Sequence, residues 1–235
     1  MARLFGRGVR VIETDVASKV HALNLGDQAA GGFPRFYVDA DVVLPLEAVR
    51  RMAARLQEQR VLAVAPRFRM ELSGCSWAVR AFYDINGRLP SSREGIGGSG
   101  VYGLSEAGRR RFERFPELTA DDGFIRLQFT PAERETLHDC HSSVHAPKTL
   151  RELITIKTRS HYGTMQLRQH MPELWRNVGG RNGPALGRLA LRCPWLWPKL
   201  AVYGVVKSAT RFRALRQLKN ASLIAWERDE SSRRG

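Results

Sequence analysis

Arg35-Phe-Tyr-Val-Asp39-Ala-Asp41-Val-Val-Leu-Pro45 sets two carboxylates one residue apart in an otherwise apolar, β-forming stretch. In an extended segment, side chains two residues apart point the same way, so Asp39 and Asp41 would share a side at the end of a strand. Two unpaired buried carboxylates repel each other and lose hydration unless a cation lies between them. A divalent metal is the natural cation, bound through hard oxygen ligands and shared with phosphates of a substrate. The same tripeptide also fits a strand end with two ordinary exposed acids.

Outward from this stretch the pattern alternates between strand and helix. Gly8 to Glu13 alternate like a strand, and Ser18 to Ala30 read as a helix with Val20, Ala22 and Leu23 inward. After Pro45, the residues Leu46, Val49, Met52, Ala53 and Leu56 recur at helical spacing, and Val61 to Ala65 form a short apolar run expected of a buried strand. Ser73 to Asp84 predict a further helix, Gly87 to Gly100 a loop, Val101 to Leu104 a strand, and Ser105 a cap for a helix reaching Phe112. Thr130-Pro-Ala-Glu133 and Thr149-Leu-Arg-Glu152 both have capping-box form, the second opening a long helix to about His170. The order predicts an α/β layered domain. The Gly95-Ile-Gly-Gly-Ser-Gly100 segment could bring N–H groups to a phosphate, although it does not open a helix as a dinucleotide-binding loop would.

The 235 residues and the 43% hydrophobic, 26% charged composition describe a folded chain. Met1 to Glu13 lack the apolar core of a signal peptide, and no uncharged run is long enough to span a membrane, which predicts a cytoplasmic location. Cys75, Cys140 and Cys193 fit reduced thiols better than a disulfide framework. His138, Cys140, His141 and His145 match no standard closed zinc spacing, and their segment also reads as a strand.

The net charge of +15 is divided unevenly: residues 1–146 carry +2 and residues 147–235 carry +13. Pro194 to Val206 form an apolar core with two tryptophans, flanked by Arg188, Arg192, Lys207, Arg211, Arg213, Arg216 and Lys219. Such a tail suits an anionic membrane surface, or an amphipathic helix packed back on the domain. Nucleic acid is a weaker fit, because the arginines alternate with Trp, Leu and Val and no recognition module is visible.

Four of these stretches together resemble the inverting family-2 glycosyltransferases of the GT-A fold. Tyr-Val-Asp39-Ala-Asp41 resembles the family's metal-binding Asp-x-Asp element. Ser18-Lys19-Val-His-Ala-Leu-Asn24-Leu-Gly26 is similar to its Gly-Lys-x-x-Ala-Leu-Asn-x-Gly stretch, with Ser18 in place of Gly. Gly98-Ser99-Gly100 followed by Ala120-Asp121-Asp122 resembles its small-residue loop and acidic base motif, and Lys157-Thr-Arg159-Ser-His-Tyr-Gly163 its basic segment facing the donor diphosphate.

The resemblance implies an α/β, GT-A-like (Rossmann-like) mixed sheet flanked by helices, with a basic helical C-terminal extension. It also implies three parts: a catalytic domain over 1–146, a helical donor- or acceptor-side segment over 147–183, and a basic tail over 184–235. The family's opening Val-Ile-Pro-x-x-Asn-Glu strand is not present, so the resemblance implies an N-terminally truncated sheet.

The implied reaction moves a sugar from a nucleotide-diphosphate sugar to the hydroxyl of a polysaccharide, glycolipid or small acceptor. Asp41 and Asp39 would hold Mg²⁺ or Mn²⁺, Asp122 would serve as base, and Asp121 would orient the acceptor. Lys19, Asn24, Asp39, Gly98, Ser99, Gly100 and Arg159 would bind substrate. The alternative is a non-catalytic remnant that binds a membrane or partner. What separates the readings is whether Asp39, Asp41 and Asp122 converge on one cleft.

Overall fold

The computed structural model describes residues 9–93, 96–180 and 182–220, and among them five strands and eight α-helices. The chain runs α1 (Lys19–Ala29), β1 (Arg35–Val38), β2 (Val42–Val43), α2 (Leu46–Gln57), β3 (Ala63–Glu71), α3 (Trp77–Gly87), β4 (Val101–Leu104), α4 (Glu106–Arg109), α5 (Asp121–Gln128), β5 (Arg134–His145), α6 (Leu150–His170), α7 (Gly183–Arg192) and α8 (Trp197–Lys219). The strands form one mixed sheet in the order β1-β4-β3-β5-β2, with β3 and β5 parallel and the other pairs antiparallel. The expected α/β architecture, a mixed sheet flanked by helices, is what the chain adopts.

Alternation along the strands divides the sheet between two cores. Ala63, Ala65, Tyr37, Tyr102 and Leu104 pack with Val20 of α1, Phe124, Ile125 and Leu127 of α5, and Leu167 near the end of α6. On the other face, Val64, Val101 and Leu137 pack with Ala48, Met52 and Leu56 of α2. A third core joins Phe82 and Ile85 of α3 and Leu153 of α6 to Ala185 of α7 and Tyr203 and Val206 of α8. The tail therefore packs back on the domain, and Lys199 at the start of α8 pairs at 2.6 Å with Asp84 of α3.

Several local signals act as read. The Ser18 hydroxyl accepts from the His21 N–H at 3.2 Å and starts α1. Thr149 and Glu152 form both halves of a capping box, and α6 runs unbroken to His170. Other expectations change. Residues 9–13 form no strand: Val9, Val11 and Ile12 are exposed, and no strand among the described residues pairs with them; Gly8 lies outside the described residues. Ala22 faces outward on α1.

The strand at Val61 to Ala65 continues to Glu71, because Arg67 to Glu71 pair with His141 to His145 of β5. The helix expected from Ser73 begins at Trp77, and that capped by Ser105 ends at Arg109. At Thr130, the Glu133 carboxylate accepts from both the Thr130 N–H and hydroxyl at 3.0 Å, yet the chain makes only a turn, because Arg134 enters β5 beside Ala63.

Between Pro66 and Arg67 the register with β5 shifts, so that His138, Asp139 and Cys140 are left without partners on β3. The four-residue set His138, Cys140, His141 and His145 thus lies on one strand. The three cysteines are free thiols, and Cys75 and Cys140 are buried.

Candidate active site

The site is assembled where β1 ends. Val38 is the last strand residue, and the chain then turns through Asp39 to Asp41, closed by the Val42 N–H donating to the Asp39 carbonyl at 3.1 Å. The turn lies against the start of β4: the Asp39 N–H donates to the Gly100 carbonyl at 2.8 Å. Gly100 has φ +64°, and a Cβ there would come within 2.6 Å of Val42 Cγ2 and 3.2 Å of Asp39 Oδ2. Glycine is required both for the backbone angle and for the close approach. The neighbouring Ser99 is buried, and its hydroxyl donates to the Val101 carbonyl at 2.8 Å, which fixes the loop on β4.

Lys19, the first residue of α1, joins the two acidic motifs. Its Nζ lies 2.8 Å from Asp39 Oδ1 and 3.0 Å from Asp121 Oδ2. Burial would lower the lysine's proton affinity, but Asp121 and Asp39 together outweigh it and hold the ammonium above its usual range. Asp121 is buried, and that burial is the largest influence on its carboxyl. Asp122 and Asp39 add to it and Lys19 opposes it, leaving the group pushed up to about 6. The bond from Lys19 also fixes α1 over the sheet, helped by buried Asp27. The Asp27 carboxylate accepts from Arg35 at 2.7 Å, Tyr37 at 2.5 Å and Arg109 at 2.7 Å. Burial alone would raise Asp27; the bonds from these three groups bring it below its usual range instead.

Asp122 opens α5 beside Asp121, where the helix N-terminus favours negative charge. Its Oδ2 accepts from the Gly98 N–H at 2.7 Å and its Oδ1 from the Gly123 N–H at 2.7 Å. The glycine loop is thus a clamp on Asp122 through Gly98 and on Asp39 through Gly100. Gly163 lets α6 touch the segment before the acidic pair, since a Cβ there would lie 2.8 Å from the Ala120 nitrogen. Tyr102 contributes a buried hydroxyl with no hydrogen-bond partner among the described residues. Burial, then the field of Asp121, Tyr37, Asp122 and Asp39, raises its proton affinity far above a free phenol's. No sequence motif pointed to Tyr102; it pairs with Tyr37 across the β1–β4 ladder and lies within the field of the carboxylates.

Of the residues singled out from sequence, Lys19, Asp39, Asp121, Asp122, Gly98, Ser99 and Gly100 are brought together. Asp41 is exposed on the adjoining turn, with no side-chain partner among the described residues. Asn24 is one turn further along α1 and uses its amide on the Phe115 backbone, accepting from the Phe115 N–H at 2.8 Å and donating to the Phe115 carbonyl at 3.0 Å. Arg159 is exposed on α6. On the same helix Lys157, two residues earlier, lies within the field of Asp122.

No group of three or more His, Cys, Asp or Glu among the described residues stands ready to enclose a metal ion. Asp39, one oxygen of which pairs with Lys19, and exposed Asp41 stand on one turn as hard oxygen donors. Such a pair suits a Mg²⁺- or Mn²⁺-type cation that completes its shell with water and phosphate oxygens.

No family model matches the chain, and no curated protein matches it. Among solved structures the chain is similar to a mannosyltransferase from Pyrobaculum calidifontis in complex with GDP-Man and Mn2+, at 23% identity and a TM-score of 0.48, over 90% of this chain. This chain spans 61% of the length of that protein.

Proposed function

We propose that the protein transfers a sugar from a nucleotide-diphosphate sugar to an acceptor hydroxyl, as an inverting glycosyltransferase of hexosyltransferase type. The observation that carries this reading is the Lys19 bridge between Asp39 and Asp121, which places two acidic motifs some eighty residues apart in sequence at one site. Holding these carboxylates together costs their desolvation, a cost that suits a site which must meet a cation.

Asp41, with Asp39 beside it, would hold Mg²⁺ or Mn²⁺, which when bound neutralises charge on the leaving diphosphate. Asp122 is the accessible carboxylate of its pair, with each oxygen oriented by one backbone N–H and retaining a free lone pair. It takes the proton as the acceptor oxygen bonds to the anomeric carbon and the bond from that carbon to the diphosphate breaks. Buried Asp121 is the wrong group for this task; it positions Lys19. Gly98, Ser99 and Gly100 hold Asp122 and Asp39 in place where the donor would approach, Asn24 braces the Phe115 backbone, and Arg159, exposed on α6, would offset phosphate charge.

Leu191 of α7, Trp195 of the turn that follows, and Trp197, Val205 and Phe212 of α8 are exposed among arginines, a surface suited to the anionic inner face of a membrane. No helix among the described residues is long and apolar enough to cross one. This surface favours a carbohydrate or lipid-linked acceptor and a peripheral, cytoplasmic location.

The test is release of nucleoside diphosphate from a panel of nucleotide-diphosphate sugars, with Mg²⁺ or Mn²⁺ and with chelator. Metal-dependent release from at least one donor is expected. Absence of release from every donor, with metal present and a lipid or glycan acceptor supplied, would favour the binding-module alternative.

A further inference from the structure

Between α6 and α8, within the field of Asp122, the protein gathers basic side chains that the transfer step as described does not use. Lys157 and His161 stand one helical turn apart on α6, and Lys207 and Arg211 one turn apart on α8. Two close contacts join the pairs to each other and to the helices beneath. Lys207 Nζ lies 3.4 Å from His161 Nε2, and Lys157 Nζ lies 5.6 Å from the ring centre of Tyr83 on α3. Phe82 and Tyr203 complete an aromatic wall, with Lys157 Nζ 6.0 Å from the first ring and Lys207 Nζ 5.9 Å from the second.

No carboxylate among the described residues pairs with Lys157 or Lys207; the acid whose field reaches Lys157 is Asp122. Burial and the neighbouring Lys207 push Lys157 down to about 8, and burial with the three nearby cations pushes His161 down to about 4. Partly buried cations drawn together without a counter-ion cost stability, and a phosphate would relieve that cost by charge-assisted hydrogen bonds.

We propose that Lys157, His161, Lys207 and Arg211 form a binding site for a phosphoryl group, and that the group belongs to the acceptor. The assignment to the acceptor rests on the reading of Asp122 as base. The cluster lies within the field of Asp122, whereas Lys19 is paired with Asp39 and Asp121, the side where a donor diphosphate would meet the metal. An acceptor bearing a phosphate near its reacting hydroxyl would span from the cluster to Asp122. Its source is either a soluble phosphate monoester or a phospholipid-type headgroup, and both present the same chemistry.

The experiment uses the full chain without donor, so that it does not depend on turnover. His161 is followed by NMR through a pH titration in inorganic phosphate and in chloride at equal ionic strength. Phosphate is expected to raise the His161 pKa and to saturate, and Lys207→Met is expected to weaken phosphate binding at least tenfold with the far-ultraviolet circular dichroism unchanged.

Equal behaviour in phosphate and chloride, or undiminished binding by Lys207→Met, would overturn the site. Glycerol 3-phosphate and vesicles containing phosphatidic acid then separate the two sources: competition by the first indicates a soluble acceptor, and by the second a lipid one. Phosphate binding with no transfer from any donor would leave the cation site standing and refute the assignment of its phosphate to an acceptor.

Discussion

Asp122→Asn is expected to lower sugar-transfer turnover by about 10²- to 10⁴-fold while leaving the affinity for nucleoside diphosphate and metal within about twofold. The amide keeps the size of the side chain, and its oxygen can still accept from the Gly98 or Gly123 N–H, so the loop that also frames Asp39 stays in place. What is lost is the carboxylate's basicity, which in the proposed step receives the acceptor proton. In the proposed assignment, donor binding falls to Asp39 and Asp41. Nucleoside diphosphate affinity by calorimetry, measured beside turnover, separates the two roles. Turnover within twofold of the parent would remove Asp122 from the chemistry, and a parallel loss of donor affinity would make it a structural clamp.

Lys19→Met is expected to destabilise the protein by roughly 2–3 kcal/mol at pH 8 and by about 1 kcal/mol near pH 5. Breaking a buried pair costs most when the remaining charge cannot escape. Here Asp121 is buried while Lys19 is about a third exposed, with 32% side-chain exposure, so the expected cost lies below that of a fully buried pair.

The pH dependence follows from the sign of the Asp121 shift. Its carboxyl is pushed up to about 6 in the folded protein, above the unfolded value near 3.9. The folded state therefore binds that proton more tightly, and the contribution to stability is complete below about pH 4 and lost as pH rises through about 6. Without Lys19 the carboxyl moves higher still. Near pH 5 the variant can hold Asp121 neutral, whereas at pH 8 it must ionise a buried acid beside Asp39 and Asp122. Urea unfolding at the two pH values measures the difference; an equal loss at both would show that Lys19 contributes little through charge.

Residues whose role is local were readable from the chain. Ser18, Thr149 with Glu152, and the Asp121-Asp122 pair at the start of α5 each satisfy the first N–H groups of a helix or favour its dipole, a requirement that depends on neighbours a few residues away. Val101 to Leu104 reads as a strand for the same reason, a short β-forming run between a glycine loop and a capping serine.

Where pairing partners decide, sequence signals fell short. Arg67 to Glu71 alternate charge with apolar residues and extend β3 because β5 lies alongside; the matching alternation at Val9 to Ile12 meets no strand among the described residues. Thr130 to Glu133 satisfies the chemistry of a capping box, but pairing of Arg134 with Ala63 draws the chain into a strand.

The candidate site was legible as motifs and not as connections. Lys19, Asp39 and the Asp121-Asp122 pair could be named from their stretches, but that the Lys19 ammonium spans Asp39 and Asp121 is a fact of folding. In the sequence Lys157 is one basic residue of the Lys157–Gly163 stretch and Lys207 one of many in the tail. Only the packing of α6 on α8 shows that they face one another across fifty residues of chain.

The central claim is that the Asp39–Asp41 turn and the glycine loop together receive a metal-bound nucleoside diphosphate. Paramagnetic broadening of backbone amides by Mn²⁺, added with a nucleoside diphosphate, tests this directly. Broadening centred on Lys19, Asp39 to Val42 and Gly98 to Gly100, and abolished by Asp41→Ala, is the predicted result. Broadening centred instead on His138 to His145 of β5, or unchanged by Asp41→Ala, would contradict it.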